Sequence, residues 1–283
     1  MKKLFVLGAV LCGLQASAAD EDLVAATARV HQHDEPVATA AATTAPAQEV
    51  SGGPVVYGSV DGAALRGYLA RPAAAAEGLP GLIVIHEWWG LNDNIRQVTE
   101  RLAAEGYVAL AVDLYGGESA ATPKAAMQLM QGLQKDSGVA DDNLRQAFSY
   151  LTQTAGAPMV GSIGWCLGGR WSLRAALLMP SDIDATVIYY GSLTTDESEL
   201  ASLEMPILGN FASNDPLIPV ETVNEFAATL DRLGKTVDVK IYEGAQHAFS
   251  NPSGRAYDAA AAEDAWQRTL AFFRSHLGGS SGG

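Results

Sequence analysis

Cysteine is almost absent from this chain, which carries only Cys12 and Cys166 among its 283 residues. The redox pair C-x-x-C is therefore missing. His86-Glu87 does not open an H-E-x-x-H zinc motif, because residue 90 is glycine. The dinucleotide-binding motif G-x-G-x-x-G is also absent, because Cys166 occupies the position where that motif needs glycine. Thiol redox exchange, zinc protease and dinucleotide-dependent chemistry thus have no sequence support.

Basic residues are also scarce, with 18 Lys and Arg against 32 Asp and Glu and a net charge of -14. A surface of this sign repels phosphate backbones and anionic membranes, so we expect no nucleic-acid partner. Beyond the N-terminal region the chain contains no apolar run long enough to cross a bilayer. We therefore expect no membrane span in the mature protein and a small molecule as its partner.

The first 18 residues have the three parts of a secretory signal peptide. Lys2 and Lys3 precede an apolar run that is too short to span a membrane, and Ala16-Ser17-Ala18 supplies a small-x-small cleavage pattern. We predict cleavage after Ala18 and a periplasmic or secreted protein. Cleavage removes Cys12, so Cys166 becomes the single thiol of the exported chain, and a single thiol is expected to be reactive rather than structural.

Two terminal segments resemble linkers. Residues 19–53 are rich in Ala, Thr and Pro and poor in large apolar residues, which predicts a disordered leader. Within it, His31-Gln32-His33-Asp34-Glu35 offers metal-ligand side chains, but a solvated polar tract is the favoured interpretation because nothing nearby completes a coordination shell. We expect no metal and no cofactor. Residues 278–283, all Gly and Ser, predict a flexible tail.

The remaining segment, 54–277, predicts one α/β domain. Apolar runs of strand length alternate with amphipathic helical segments, an order typical of a mainly parallel sheet with helices on both faces. Chemistry in such sheets gathers at the carboxyl ends of the strands. Four predicted strand ends carry reactive residues: 86–90, 164–169, 210–219 and 244–249.

Cys166 lies in a pattern typical of a nucleophile elbow. Gly164 and Gly168 flank it, and a tight strand-to-helix reversal needs small residues at these places. The helix that begins after Cys166 directs its amide N–H groups at the sulfur and favours the thiolate. A buried, inert cysteine is the alternative interpretation, but it would not need glycine on both sides.

A thiol nucleophile needs a base, and His247 is the candidate because it follows a late strand. Asp215 lies between the two in sequence, which gives the order nucleophile, acid, histidine of α/β-hydrolases. The alternative for Asp215 is a simple turn residue before Pro216. The backbone N–H groups of Leu167 and Trp88 are the candidate oxyanion donors.

Five motifs, in order, resemble the dienelactone hydrolase family. They are Ile85-His86-Glu87, Asp113-Leu114-Tyr115-Gly116-Gly117, Gly164-Trp165-Cys166-Leu167-Gly168-Gly169, Asn214-Asp215-Pro216 and His247-Ala248-Phe249-Ser250-Asn251-Pro252. The resemblance covers 54–277 and implies the α/β-hydrolase fold. It also implies a triad of Cys166, His247 and Asp215. Glu87 matches the family glutamate that engages the thiol and helps to form the thiolate when substrate binds.

The sequence departs from the family at two positions. The family's namesake enzyme holds its substrate carboxylate with two arginines, where this chain has Gly117 and Asn251. With Trp88, Trp89 and Trp165 expected near the mouth of the site, we favour a less charged ester or lactone as substrate.

The resulting hypothesis is a monomeric hydrolase of carboxylic esters or lactones that acts through a thioester. A noncatalytic binding or thiol-sensing protein on the same fold is the main alternative. An acyltransferase or thiol peptidase that uses the same residues also remains open.

Overall fold

Eight strands form one sheet in the computed structural model, which describes residues 18–34, 36, 45–74 and 77–278. The strands are β1 (Val50–Val60), β2 (Ala63–Pro72), β3 (Gly81–Ile85), β4 (Val108–Val112), β5 (Val160–Trp165), β6 (Ala185–Tyr189), β7 (Ile207–Asn214) and β8 (Val237–Gln246). Their spatial order is β1-β2-β4-β3-β5-β6-β7-β8. β2 pairs antiparallel with β1 and β4, and every other pair is parallel. The predicted fold class is confirmed.

Helices cover both faces of this sheet. They are α1 (Ala18–Val30), α2 (Asp93–Ala104), α3 (Pro123–Lys135), α4 (Ser137–Ser149), α5 (Leu167–Leu178), α6 (Glu197–Leu200), α7 (Val220–Arg232) and α8 (Ala259–Leu277), and a π-helical turn, Tyr150–Thr154, follows α4. Polar side chains fix several starts: Asn92 accepts a hydrogen bond from an amide of α2, and Asp258 accepts two from α8.

The central strands are apolar along their whole length because both of their faces are covered. In β3 every residue is buried, and successive side chains point to opposite faces. Leu82 and Val84 pack in the cluster that includes residues of α2 and α8. Ile83 and Ile85 pack in the larger cluster with residues of α4, α5 and α7. The core therefore lies in two layers, one on each side of the sheet.

The N-terminal segment differs from the prediction of a disordered leader. Residues 18–30 form α1, which contacts α3, and Val24, Thr27 and His31 are all buried. Their spacing of three and four residues places them on one helical face, and alanine, abundant here, has the highest helix propensity. The amino-acid composition therefore did not predict that residues 18–30 form a helix. The domain boundary predicted at 54 also differs, since β1 begins at Val50.

Two predictions on the termini fall mostly outside the described residues. The signal peptide, 1–18, overlaps them only at Ala18, and the tail, 278–283, only at Gly278. Among the residues that are described, no helix is long and apolar enough to cross a membrane.

The sheet brings four strand ends to one edge. β3 ends just before His86-Glu87, β5 just before Cys166, β7 just before Asp215 and β8 just before His247. Because these strands are parallel, their carboxyl ends face the same side of the domain. The topology thus collects residues that lie up to 161 positions apart in sequence.

Candidate active site

Cys166 occupies a strained backbone position between β5 and α5. Its φ of 55° and ψ of -115° lie in a region that side-chain-bearing residues rarely adopt. A Cβ added to Gly164 would lie 2.0 Å from the carbonyl oxygen of Gly168, and one added to Gly168 would lie 2.2 Å from that of Ile85. Glycine is thus required on both sides of the turn, as the nucleophile-elbow pattern predicts.

The imidazole of His247 is paired with the carboxylate of Asp215. The distance from His247 Nδ1 to Asp215 Oδ2 is 2.7 Å, and both side chains are almost fully buried. The other oxygen of Asp215 accepts hydrogen bonds from the backbone N–H groups of Leu217 and Ile218, at 2.7 and 3.1 Å. These bonds fix the carboxylate, and the carboxylate in turn orients the ring so that Nε2 is free to act on another group.

Cys166 and His247 lie in one cleft. The Cys166 sulfur and one ring nitrogen each of His247 and His31 all lie within 4.8 Å of one another. Burial opposes ionisation of the thiol, but the neighbouring imidazoles of His247 and His31 outweigh it and lower the pKa of Cys166 to about 6. Burial likewise opposes the charge on His247, but the Cys166 thiolate and Asp215 outweigh it and raise the pKa of His247 to about 10. The geometry therefore favours a thiolate–imidazolium pair.

His31 is a site residue that sequence reasoning missed. Its ring lies 5.0 Å from the ring of Trp88 and 5.5 Å from that of His247, between centroids. Its Nδ1 is 2.8 Å from Asp34 Oδ2. The interpretation of this segment as a solvated polar tract is therefore wrong for His31. The signal that could have found it is the spacing from Val24 through Thr27 to His31, because it continues the buried face of α1.

Glu87 lies at the same strand edge but is held by other partners. One carboxylate oxygen accepts a hydrogen bond from the side chain of Asn251 at 2.5 Å, and the other is 3.5 Å from the hydroxyl of Tyr190. Burial, followed by the negative charge of Cys166, raises the pKa of Glu87 to about 7. Glu87 is only 7% exposed, so it is a buried carboxylate and not a solvated loop residue. Its predicted engagement of the thiol stays a prediction.

Of the two predicted oxyanion donors, Leu167 directly follows Cys166 in the elbow, and Trp88 lies in the loop after β3, the strand that pairs with β5. Leu167 is the first residue of α5, where a backbone N–H has no acceptor within its own helix. Trp88 follows β3, its side chain is fully buried, and its carbonyl accepts a hydrogen bond from Tyr115 at 3.1 Å. Their role as donors stays a prediction.

A small cavity lies directly over the sulfur. Its lining includes Cys166, His247, Leu217, Ile218 and two residues of α1, Leu23 and Thr27. Because α1 supplies one wall, the N-terminal segment shapes the space next to Cys166. Of the tryptophans expected at the mouth, Trp165 lines a second cavity together with Glu87 and Asn251. Trp88, Trp89 and Trp165 are all at most 6% exposed.

Comparison with known proteins identifies the family. The family model for the dienelactone hydrolase family matches residues 65–277. The chain belongs to the dienelactone hydrolase family. It is 35% identical to "Protein usf" of Aquifex pyrophilus over 232 residues, which are 80% of this chain and 99% of that protein.

Two further relatives agree with this family assignment. A protein of Saccharolobus solfataricus named as a candidate carboxymethylenebutenolidase is 32% identical over 256 residues, covering 77% of this chain and 97% of that one. The crystal structure of a candidate dienelactone hydrolase from Klebsiella pneumoniae superposes with a TM-score of 0.73 at 28% identity, covering 81% of this chain and all of that one.

This dienelactone hydrolase family member has glycine and asparagine, Gly117 and Asn251, at the two positions where the family resemblance leads us to expect arginine. Gly117 has a φ of 100° and donates its backbone N–H to Asp113 at 2.6 Å. Asn251 is only 8% exposed, and its side chain donates to Glu87. Asn251 therefore binds Glu87 at the position where the resemblance leads us to expect an arginine.

Proposed function

We propose that this protein hydrolyses carboxylic esters or lactones through a thioester on Cys166. The observation that carries the proposal is the arrangement of the Cys166 sulfur, the His247 ring and the Asp215 carboxylate in one buried cleft. Membership of the dienelactone hydrolase family, and the names of the relatives in Saccharolobus and Klebsiella, support the same reaction class.

The first half of the reaction forms the thioester. The Cys166 thiolate attacks the ester carbonyl carbon, and the carbonyl oxygen becomes an oxyanion that the N–H groups of Leu167 and Trp88 stabilise. When the tetrahedral intermediate collapses, the bond to the leaving oxygen breaks and protonated His247 gives that oxygen its proton. In a lactone the resulting alcohol stays attached to the acyl chain.

The second half returns the enzyme to its starting state. Neutral His247 removes a proton from water, which attacks the thioester carbonyl and displaces the Cys166 thiolate. Asp215 holds the imidazole in the tautomer that this step needs and stabilises the imidazolium. The family resemblance implies that Glu87 engages the thiol when substrate binds, for which it must first leave its hydrogen bond to Asn251; in the free protein the neighbouring imidazoles already favour the thiolate.

The proposed substrates are apolar or weakly charged esters. A guanidinium clamp at Gly117 and Asn251 is missing, and glycine or asparagine cannot replace its bidentate hydrogen bonds. The cavity beside Cys166 is lined mainly by uncharged side chains, among them Leu23, Leu217 and Ile218, although Arg170 also belongs to its lining. We further propose export to the periplasm, on the strength of residues 1–18, and cleavage after Ala18 would leave His31 in the mature chain.

Trapping the acyl-enzyme tests this proposal. When the protein is mixed with p-nitrophenyl acetate and quenched in acid, intact mass spectrometry should show one added acetyl group, and peptide mapping should place it on Cys166. Cys166→Ala, measured in parallel, should show none. Acetylation at Cys166 without any p-nitrophenol release beyond one equivalent would favour the thiol-sensing alternative. Transfer of the acetyl group to an added alcohol, in place of water, would favour the acyltransferase alternative.

The pH dependence of thiol reactivity gives a second test. In the presence of a chelator, the rate of Cys166 alkylation by iodoacetamide should rise with pH through a midpoint near 6, well below the 9.0 of an ordinary thiol. His247→Ala should move this midpoint upward, because the variant lacks the imidazolium that stabilises the thiolate. A wild-type midpoint at the ordinary thiol value would contradict the proposed ion pair.

A further inference from the structure

A second histidine–carboxylate pair faces the first across the Cys166 sulfur. His31 Nδ1 is 2.8 Å from Asp34, just as His247 Nδ1 is 2.7 Å from Asp215. Both Nδ1 atoms are thereby occupied, so Nε2 is the remaining nitrogen of each ring. Both Nε2 atoms are buried and have no hydrogen-bond partner. The Cys166 sulfur lies beside both atoms, so three buried donor atoms, two nitrogens and one sulfur, converge at one place.

The three side chains are a ligand set for a divalent cation of borderline softness. Thiolate sulfur and imidazole nitrogen are the donors that Zn²⁺ prefers, and three protein ligands with an open fourth position are a common zinc arrangement. His31, Cys166 and His247 are 3%, 7% and 2% exposed, so a bound ion would be shielded from water. The Nδ1–carboxylate bonds are the outer-shell contacts that orient metal-ligating histidines.

The geometry needs only a small adjustment to hold an ion. Tetrahedral coordination with Zn–N and Zn–S bonds of usual length requires donor atoms about 3.3–3.6 Å apart. The donor atoms here lie within 4.8 Å of one another, so side-chain movements of about 1 Å are sufficient. Charge also favours a cation: when Zn²⁺ displaces the proton of His247, the thiolate and the two aspartates place three negative charges around two neutral imidazoles.

We propose that His31, Cys166 and His247 form a Zn²⁺-binding site that the N-terminal segment completes. Two of these residues, Cys166 and His247, also belong to the proposed hydrolase site. The effect of Zn²⁺ on activity therefore rests on the proposed function, but the binding of Zn²⁺ does not. Zn²⁺ withdraws electron density from the thiolate and makes it a weaker nucleophile, and a His247 whose Nε2 binds the metal cannot carry a proton there. Zinc-loaded protein should therefore be inactive as an ester or lactone hydrolase, and chelation should restore activity.

Titration of chelator-treated protein with Zn²⁺ tests the site directly. Competition with a chromophoric chelator should show one tightly bound Zn²⁺ per chain, and Mg²⁺, which prefers oxygen ligands, should not compete. His31→Ala should weaken Zn²⁺ binding by at least about a hundredfold. The matched control is His33→Ala, because His33 is exposed and only two residues away.

Co²⁺ provides a spectroscopic test that does not depend on activity. Co²⁺-loaded wild type should show thiolate-to-cobalt charge transfer in the near ultraviolet, and Cys166→Ser should lose it. Circular dichroism of His31→Ala and His31→Gln separates loss of a ligand from loss of folding. Equal Zn²⁺ affinity in wild type and a folded His31 variant would overturn the proposal, as would the absence of the thiolate band.

The hydrolase proposal and the zinc proposal fail in different measurements. If no Zn²⁺ binds, acetylation of Cys166 still tests the hydrolase. If Cys166 never becomes acetylated, the Zn²⁺ titration and the cobalt spectrum still test the metal site.

Discussion

Cys166→Ala should lower kcat/KM for p-nitrophenyl acetate by a factor of about 10⁴ or more, because the reaction loses its nucleophile. The methyl group of alanine fits the strained turn at φ 55° no worse than cysteine does, so the fold should be retained. Steady-state kinetics on mature wild-type and variant protein, with simple lactones as second substrates, provide the measurement. Residual activity would come from the oxyanion donors and from binding alone.

Two controls make the Cys166 result specific. His276→Ala removes a histidine of the terminal helix α8, far in sequence from the strand ends that form the cleft, and should leave kcat/KM unchanged. A circular dichroism spectrum identical to that of wild type should accompany the loss in Cys166→Ala. Equal rates for Cys166→Ala and wild type would eliminate the thioester mechanism and leave the noncatalytic alternative.

Gly164→Ala should destabilise the fold by more than about 4 kcal/mol, or prevent folding. The new Cβ would lie 2.0 Å from the carbonyl oxygen of Gly168 and 2.3 Å from its carbonyl carbon. Both atoms belong to the backbone of the elbow, and they cannot move aside as a flexible side chain could. Chemical denaturation followed by tryptophan fluorescence measures the change in the free energy of unfolding.

The matched control for Gly164→Ala is Gly132→Ala, which makes the same substitution in the exposed part of α3. A Cβ at Gly132 meets nothing within 4 Å, so alanine should raise stability by about 0.5–1 kcal/mol through its higher helix propensity. Gly168→Ala, with a predicted contact of 2.2 Å to the Ile85 carbonyl, should behave like Gly164→Ala. An unchanged denaturation midpoint in Gly164→Ala would show that the elbow is less tightly packed than the distances require.

The alternation of strands and helices within residues 54–277 was predictable because it depends on local pattern. The run Gly81–Ile85 is apolar throughout and forms the buried strand β3, and the turn at Asp61-Gly62 joins β1 to β2 with positive φ at both residues. The glycines around Cys166 were predictable for the same reason, since the steric requirement of the elbow lies within a few residues of chain. Composition did not predict the helix α1, because this helix is stabilised by the surface against which it packs.

The sequence by itself determined the order of the elements, the elbow at Cys166 and the succession of Asp215 and His247 behind it. These follow from short-range periodicity, turn sterics and motif order. Only the tertiary structure decided that α1 brings His31 to the sulfur and that Asn251, 164 residues away in sequence, binds Glu87. The physical reason is that burial is a property of two surfaces in contact, and a linear pattern describes only one of them.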